Sequence, residues 1–231
     1  MYREVDRLHT IDDVSSKSAA ASVREKVLAS RDRFWRPADF NGYSSDAVVH
    51  AFDRLVGRDE LRHVRRGLYW RGTKTPIGMA PPPIDRLAKE LAPGRGSGPA
   101  GLSAALELGL STQLPRRTVI AVPTRAPAGT ETLRFVSRAA NAGRRGLRRS
   151  EVALLEALRD WDRLVESPAK ATSRIAGLVS SGDIRADRVA KASQREPARV
   201  RERLRCLLND IGKPEAAGTI PHARSQPLMA P

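Results

Sequence analysis

Between Leu61 and Lys74 the chain places Arg62, Arg65, Arg66, Arg71 and Lys74 without a single acid among them. Guanidinium groups at that density suit phosphate oxygens, which they grip with paired N–H donors. Just upstream, Ser44, Ser45, Val49, His50 and Arg54 fall on the outer face of a short amphipathic run. Serine hydroxyls and an imidazole can bond to base edges or phosphate, and a valine can meet a thymine methyl. Arg54 would stand near the groove edge. Other chemistries find less support. His9, His50, His63 and His222 are scattered without metal-ligand spacing. Cys206, the only cysteine, lies within an apolar helical pattern and reads as a small core residue. Asp160 and Asp162 flank a tryptophan and would point apart on a helix, so they read as surface acids. No acid–base or phosphate-cradling constellation emerges, so the expectation is a protein that is not an enzyme and uses no cofactor or metal.

The elements that must position these side chains run from Arg33 to Arg71, RFWRPADFNGYSSDAVVHAFDRLVGRDELRHVRRGLYWR. Pro37 suits the first turn of a short helix, and Asn41-Gly42 is a turn dipeptide. Ser44 or Ser45 then supplies an N-cap for a helix through Val56. On that helix Val48, Ala51, Phe52, Leu55 and Val56 share one face, and Gly57 follows as a left-handed stop. Leu61–Val64 and Leu68–Trp70 read as two short strands joined through Arg65-Arg66-Gly67, with Tyr69 and Trp70 in the core beneath. This order predicts a winged helix-turn-helix, whose usual use is DNA binding. The shape alone could equally be scaffold. The arginines beside the candidate recognition helix favour DNA, with Arg62, Arg65, Arg66 and Arg71 holding phosphates or probing the minor groove.

The same residues carry a family resemblance. RFWRPADF, a helix ending in RLV, and LRHVRRGLYWRG resemble the AbiEi-type antitoxin and transcriptional regulator family of bacteria. GPAGLSAALELGLSTQLP, VIAVPTRAP, LRFVSRAA and EVALLEALRDW resemble that family's second domain, so the likeness spans roughly residues 22–211. It implies a cytoplasmic repressor that binds its own promoter and antagonises a partner toxin of the nucleotidyltransferase fold.

At 231 residues the chain has room for two domains, and its net charge of +15 favours a polyanionic partner. No apolar run approaches the roughly 18 residues a membrane span needs, and no signal-peptide segment is visible. The expected class is α+β and mostly helical. It comprises an N-terminal winged helix-turn-helix domain and a C-terminal α/β domain with a small sheet and several helices. The expected organisation is a flexible arm at 1–18, the winged domain at 19–75, a proline-rich linker at 76–85, the second domain at 86–212 and a disordered tail at 213–231. Ser22 and Glu25 fit a capping box opening the first helix, with Val23, Val27 and Leu28 as its apolar stripe.

In the second domain Gly96–Gly101 formally matches a dinucleotide fingerprint. The preceding IDRLAKELAPG has helical spacing rather than the required strand, so no nucleotide site is expected there. Ser103 reads as an N-cap or a small packing residue. Thr118–Val122 and Leu133–Val136 are β-rich runs that should pair. Arg116, Arg117, Arg138, Arg144, Arg145 and Arg148 belong to a second arginine-rich stretch, which is either a solvated face or an extension of the DNA-backbone footprint. Three helices are expected beyond it. Glu151–Trp161 is capped by Ser150 and has Val152, Leu155 and Leu158 inward. The second covers about 169–179, with Ile175, Leu178 and Val179 as its apolar face. The third covers 197–211, with Val200, Leu204, Leu207, Leu208 and Ile211 on one stripe. The implied partners are double-stranded operator DNA and a cognate nucleotidyltransferase-type toxin, with a homodimer if the operator is palindromic. The alternative is an interaction module that acts mainly through its second domain and binds DNA without sequence preference.

Overall fold

The computed structural model describes residues 18–165 and 167–222. The arm expected at 1–18, apart from Ser18, and the end of the tail, 223–231, lie outside the described residues. The chain divides after Pro82 into two units, each with its own core.

The first unit opens with α1 (Ala19–Leu28), followed by β1 (Arg33–Trp35), a 3-10 turn at Pro37–Asp39 and α2 (Ser45–Val56). Strands β2 (Arg62–Arg65) and β3 (Leu68–Arg71) then form an antiparallel hairpin, and β1 pairs with β3 to give the order β1-β3-β2. This is the winged helix order, with a third strand that periodicity did not reveal. Three residues are too few to show an alternation, yet the aromatic pair Phe34-Trp35 favours extended backbone. The capping box at Ser22 is not formed, because α1 begins earlier. Ser18 is its N-cap and accepts from the Ala21 N–H at 3.3 Å, while the Ser22 hydroxyl accepts from Tyr43. Gly57 is not a left-handed stop. It keeps φ −62°, and the left-handed residue is Asp59 at φ 53°.

Val23 and Val27 of α1 meet Val48, Ala51, Phe52 and Leu55 of α2 in one cluster closed by Trp35, Phe40, Leu61 and Tyr69. Aromatic contacts run through it, Trp35 to Phe40 at 5.3 Å, Phe40 to Phe52 at 5.6 Å and Phe52 to Tyr69 at 4.6 Å between centroids. Burying each such ring stabilises the unit by about 1.5–3 kcal/mol. The cluster therefore fixes how α2 sits on the hairpin. Trp70 lies flat against Gly72, where a Cβ would stand 2.3 Å from the indole Nε1, so only glycine fits.

The linker expected at 76–85 is not an extended spacer. Strands β4 (Lys74–Thr75) and β5 (Gly78–Met79) make a second hairpin. It is pinned to the first by Arg62 Nη1 donating to the Met79 carbonyl at 2.8 Å, and to the turn after α2 by Lys74 Nζ donating to the Arg58 carbonyl at 3.2 Å. Met79 is buried, so the prolines stiffen the chain only after this hairpin.

The second unit is built from α3 (Ile84–Leu91), β6 (Gly98–Pro99), α4 (Leu102–Leu108), β7 (Thr118–Val122) and β8 (Leu133–Ser137), followed by helices α5 to α10. Strands β7 and β8 pair, and they run parallel, the chain returning through residues 123–132 without a helix. β6 flanks β7 antiparallel. The Gly96 N–H donates to the Leu147 carbonyl and Pro99 sits in β6, so this loop lacks the strand–turn–helix of a dinucleotide site. Ser103 is a packing residue, its hydroxyl accepting from the Val119 N–H at 3.0 Å.

Helix α5 (Arg149–Arg159) runs through the middle of this unit. Every residue from Glu151 to Leu158 is buried, so its surround is not one-sided. Its cap lies at Arg148, whose N–H donates to Glu151, and not at Ser150, whose hydroxyl donates to the Asp183 carbonyl. Around it lie α6 (Trp161–Leu164), α7 (Pro168–Ser180), α8 (Ala186–Ser193), α9 (Ala198–Asp210) and α10 (Pro214–Gly218). The tail expected from 213 onward begins instead with α10, and Ala217 and Ile220 are core residues. Arg205 holds that segment by donating to the Ile220 and Pro221 carbonyls. Cys206 is exposed, on the outer side of α9, and not in the core. No helix among the described residues is long and apolar enough to cross a membrane.

Candidate nucleic-acid interface

Because α2 buries Val48, Ala51, Phe52 and Leu55, its remaining residues form one outward face. Ser45, His50 and Arg54 are exposed there and Val49 is half-buried, so the helix brings these four together. Ser44 is exposed but committed as the N-cap, its Oγ accepting from the Ala47 N–H at 3.3 Å. The face is not uniformly basic, since Asp46 and Asp53 share it. Asp53 has a structural task that sequence reading missed, bonding across to the Tyr69 hydroxyl of β3. Burial raises the pKa of that hydroxyl above its ordinary value, and the Asp53 charge and hydrogen bond add to the effect. A further candidate is Tyr43, partly exposed just before α2, which donates to Ser22 Oγ at 2.8 Å. Its place in the turn was legible, but its link to α1 was not.

The hairpin arginines divide by environment. Arg66 is exposed beside Gly67, which takes φ 71° at the wing tip. Arg65 is half-buried, and Arg71 is half-buried opposite Arg33, its Nε buried without a hydrogen-bond partner. Arg62 spends one guanidinium nitrogen on Met79 while its residue surface stays exposed. The structure thus leaves Arg66 and Arg54 as the freest cations of the set. Arg33 stacks over Trp35 at 4.1 Å and adds a charge to the strand beside β3.

The second arginine-rich stretch is split more sharply. Arg116, Arg117, Arg145 and Arg148 are exposed. Arg144 is fully buried, and Arg138 is turned inward, so these two are not backbone-contact residues. Arg138 grips Glu156 with two bonds of 2.8 Å. Arg144 donates to Glu156 and to Glu196, each at 2.6 Å, and Asn141 and Arg159 also donate to Glu196. Burial alone would push the Glu196 carboxyl up. The guanidinium groups of Arg144 and Arg159, with Asn141, outweigh it and hold the pKa below the usual carboxylate value. A second buried acid, Glu151, is held low in the same way against its burial, by Arg185 and by the N–H groups of Arg148 and Arg185. These networks tie the loop before α5 to α5, α8 and the turn after it. They serve the fold.

Among the described residues no group of three or more His, Cys, Asp or Glu is placed to hold a metal ion. No protein-family model matches the chain, and no curated protein matches it. Among solved structures it resembles the crystal structure of the Rv2827c protein from Mycobacterium tuberculosis. The TM-score is 0.52 at 18% identity, covering 91% of this chain and 84% of that one. At that identity the likeness concerns the fold, which the two chains share across both units.

Proposed function

We propose that this chain is a cytoplasmic transcriptional regulator that binds double-stranded DNA through its winged helix. The observation that carries the reading is the outward face of α2. Ser45, Val49, His50 and Arg54 stand together on a helix whose other face is locked into the core, with Arg66 at the neighbouring wing tip. In this reading α2 enters the major groove, Ser45 and His50 bond to base edges, and Arg54 and Arg66 meet phosphates. Arg116, Arg117, Arg145 and Arg148 remain available for further backbone contacts. The resemblance to AbiEi-type regulators extends the proposal to an antitoxin that represses its own operon and antagonises a nucleotidyltransferase-type toxin.

The test is a gel-shift titration with the promoter upstream of the chain's own gene, against scrambled DNA of equal length, at two salt concentrations. A preference for the promoter that persists at the higher salt is the expected result. Equal and salt-sensitive binding to both would mean that the +15 charge accounts for the affinity, and the sequence-reading role would fall. The antitoxin role is tested separately, by whether co-expression restores growth to cells producing such a toxin encoded beside it.

A further inference from the structure

A cleft of about 350 Å³ opens in the second unit between the end of α3, the Gly94–Gly98 loop and the start of α5. Lys89, Arg95, Arg148, Arg149 and Arg185 border it, and no carboxylate does among the described residues that line it. Two of these cations are already neutralised nearby. Arg149 meets Glu107 at 2.9 Å and Asp85 at 3.1 Å, and Arg185 grips Glu151. Three are not. The Arg148 guanidinium donates to the Gly182 carbonyl at 2.7 Å, a neutral partner that leaves its charge uncancelled. Lys89 and Arg95 are exposed, and neither forms a salt bridge with an acid among the described residues. The floor is apolar, formed by Ala88, Ile120 and Leu147. Gly96 lets the loop pack closely on the backbone before α5, since a Cβ there would stand 2.4 Å from the Arg144 carbonyl oxygen. The last turn of α3 and the first turn of α5 both border the cleft, so their dipoles oppose each other and side-chain charge decides the preference.

We infer that this cleft binds a small phosphate monoester, the phosphate among Lys89, Arg95 and Arg148 and the body of the ligand on the apolar floor. The size fits, since small-ligand pockets start at about 300 Å³. Two guanidinium groups and an ammonium bordering one cleft, with no carboxylate among the described residues that line it, suit a dianion. A concave site with an apolar floor suits a compact ligand better than the backbone of a duplex. The inference does not depend on the winged helix binding DNA.

Phenyl phosphate and adenosine monophosphate are the probes, titrated calorimetrically into the full chain at fixed ionic strength, with sulfate as the reference anion. Saturable one-site binding of at least one probe, stronger than sulfate, is expected. The double substitution Lys89→Glu and Arg95→Glu should weaken it about tenfold or more without lowering the thermal midpoint of the free protein. Arg148→Ala should weaken it comparably, with helical circular dichroism retained. Failure of both probes to bind, or unchanged binding in the variants, would overturn the assignment. So would variants that weaken DNA binding alone, which would make the cleft a duplex-backbone contact.

Discussion

Arg144 and Arg66 carry the same guanidinium in opposite settings. Arg144 lies sealed between Glu156 and Glu196, whereas Arg66 stands in solvent at the wing tip. Removing one partner from a buried ionic cluster strands the rest, so Arg144→Met should destabilise the second unit by about 3–5 kcal/mol, read from urea unfolding. It should leave promoter binding per folded molecule unchanged. Arg66→Ala should do the reverse. Stability should hold, while affinity for all DNA sequences falls together and the salt slope flattens by about one phosphate contact. His50→Ala is expected to relax base preference at one or two operator positions, read from a selection of randomised sites. An unaltered preference would remove His50 from the base contacts proposed above. At this scale the sequence was legible for α2 and illegible for the second arginine stretch. The acids that capture Arg144 lie 12 and 52 residues away, beyond any local pattern.

Helix α2 shows what an element contributes to the site. Its placement depends on Phe52, which sits between Phe40 and Tyr69 with no exposed surface. Phe52→Ala should cost about 3–5 kcal/mol and abolish specific DNA binding although no contacting side chain has changed. Ser44→Ala, which removes the N-cap, should cost about 1 kcal/mol by the same measurement. The helix was legible because its apolar residues recur at helical spacing and a serine precedes them. Helix α9 was legible for the same reason. Helices α8 and α10 were not, being short and relying on alanines whose burial gives little periodic contrast. Helix α5 is legible from Val152, Leu155 and Leu158, but burial on all its sides is not. Glu151 and Glu156 carry no periodic signal that marks them as buried, and they anchor buried ion pairs. Strand β1 was too short to show, and the second hairpin was hidden by the prolines that follow it.

For the whole molecule, the two buried acids make stability depend on pH in a defined direction. The folded pKa values of Glu151 and Glu196 lie below the ordinary value of 4.5. Their contribution is therefore complete above that value and is lost as pH falls through the lower folded values. Unfolding midpoints followed from neutral pH into this range should drop, and Glu196→Gln should shrink the acid-dependent part of the drop. The two cores also differ in when their last parts come into existence. Everything the winged unit packs is encoded by Ala80, whereas the second core needs Ile220 and the carbonyls that hold Arg205. Translation therefore delivers a finished winged unit long before the second unit that follows it can close. A ribosome-stalled chain that has emerged only through about residue 200 should already protect the first unit from protease while exposing the second, whose central helix would still present its apolar surface to chaperones.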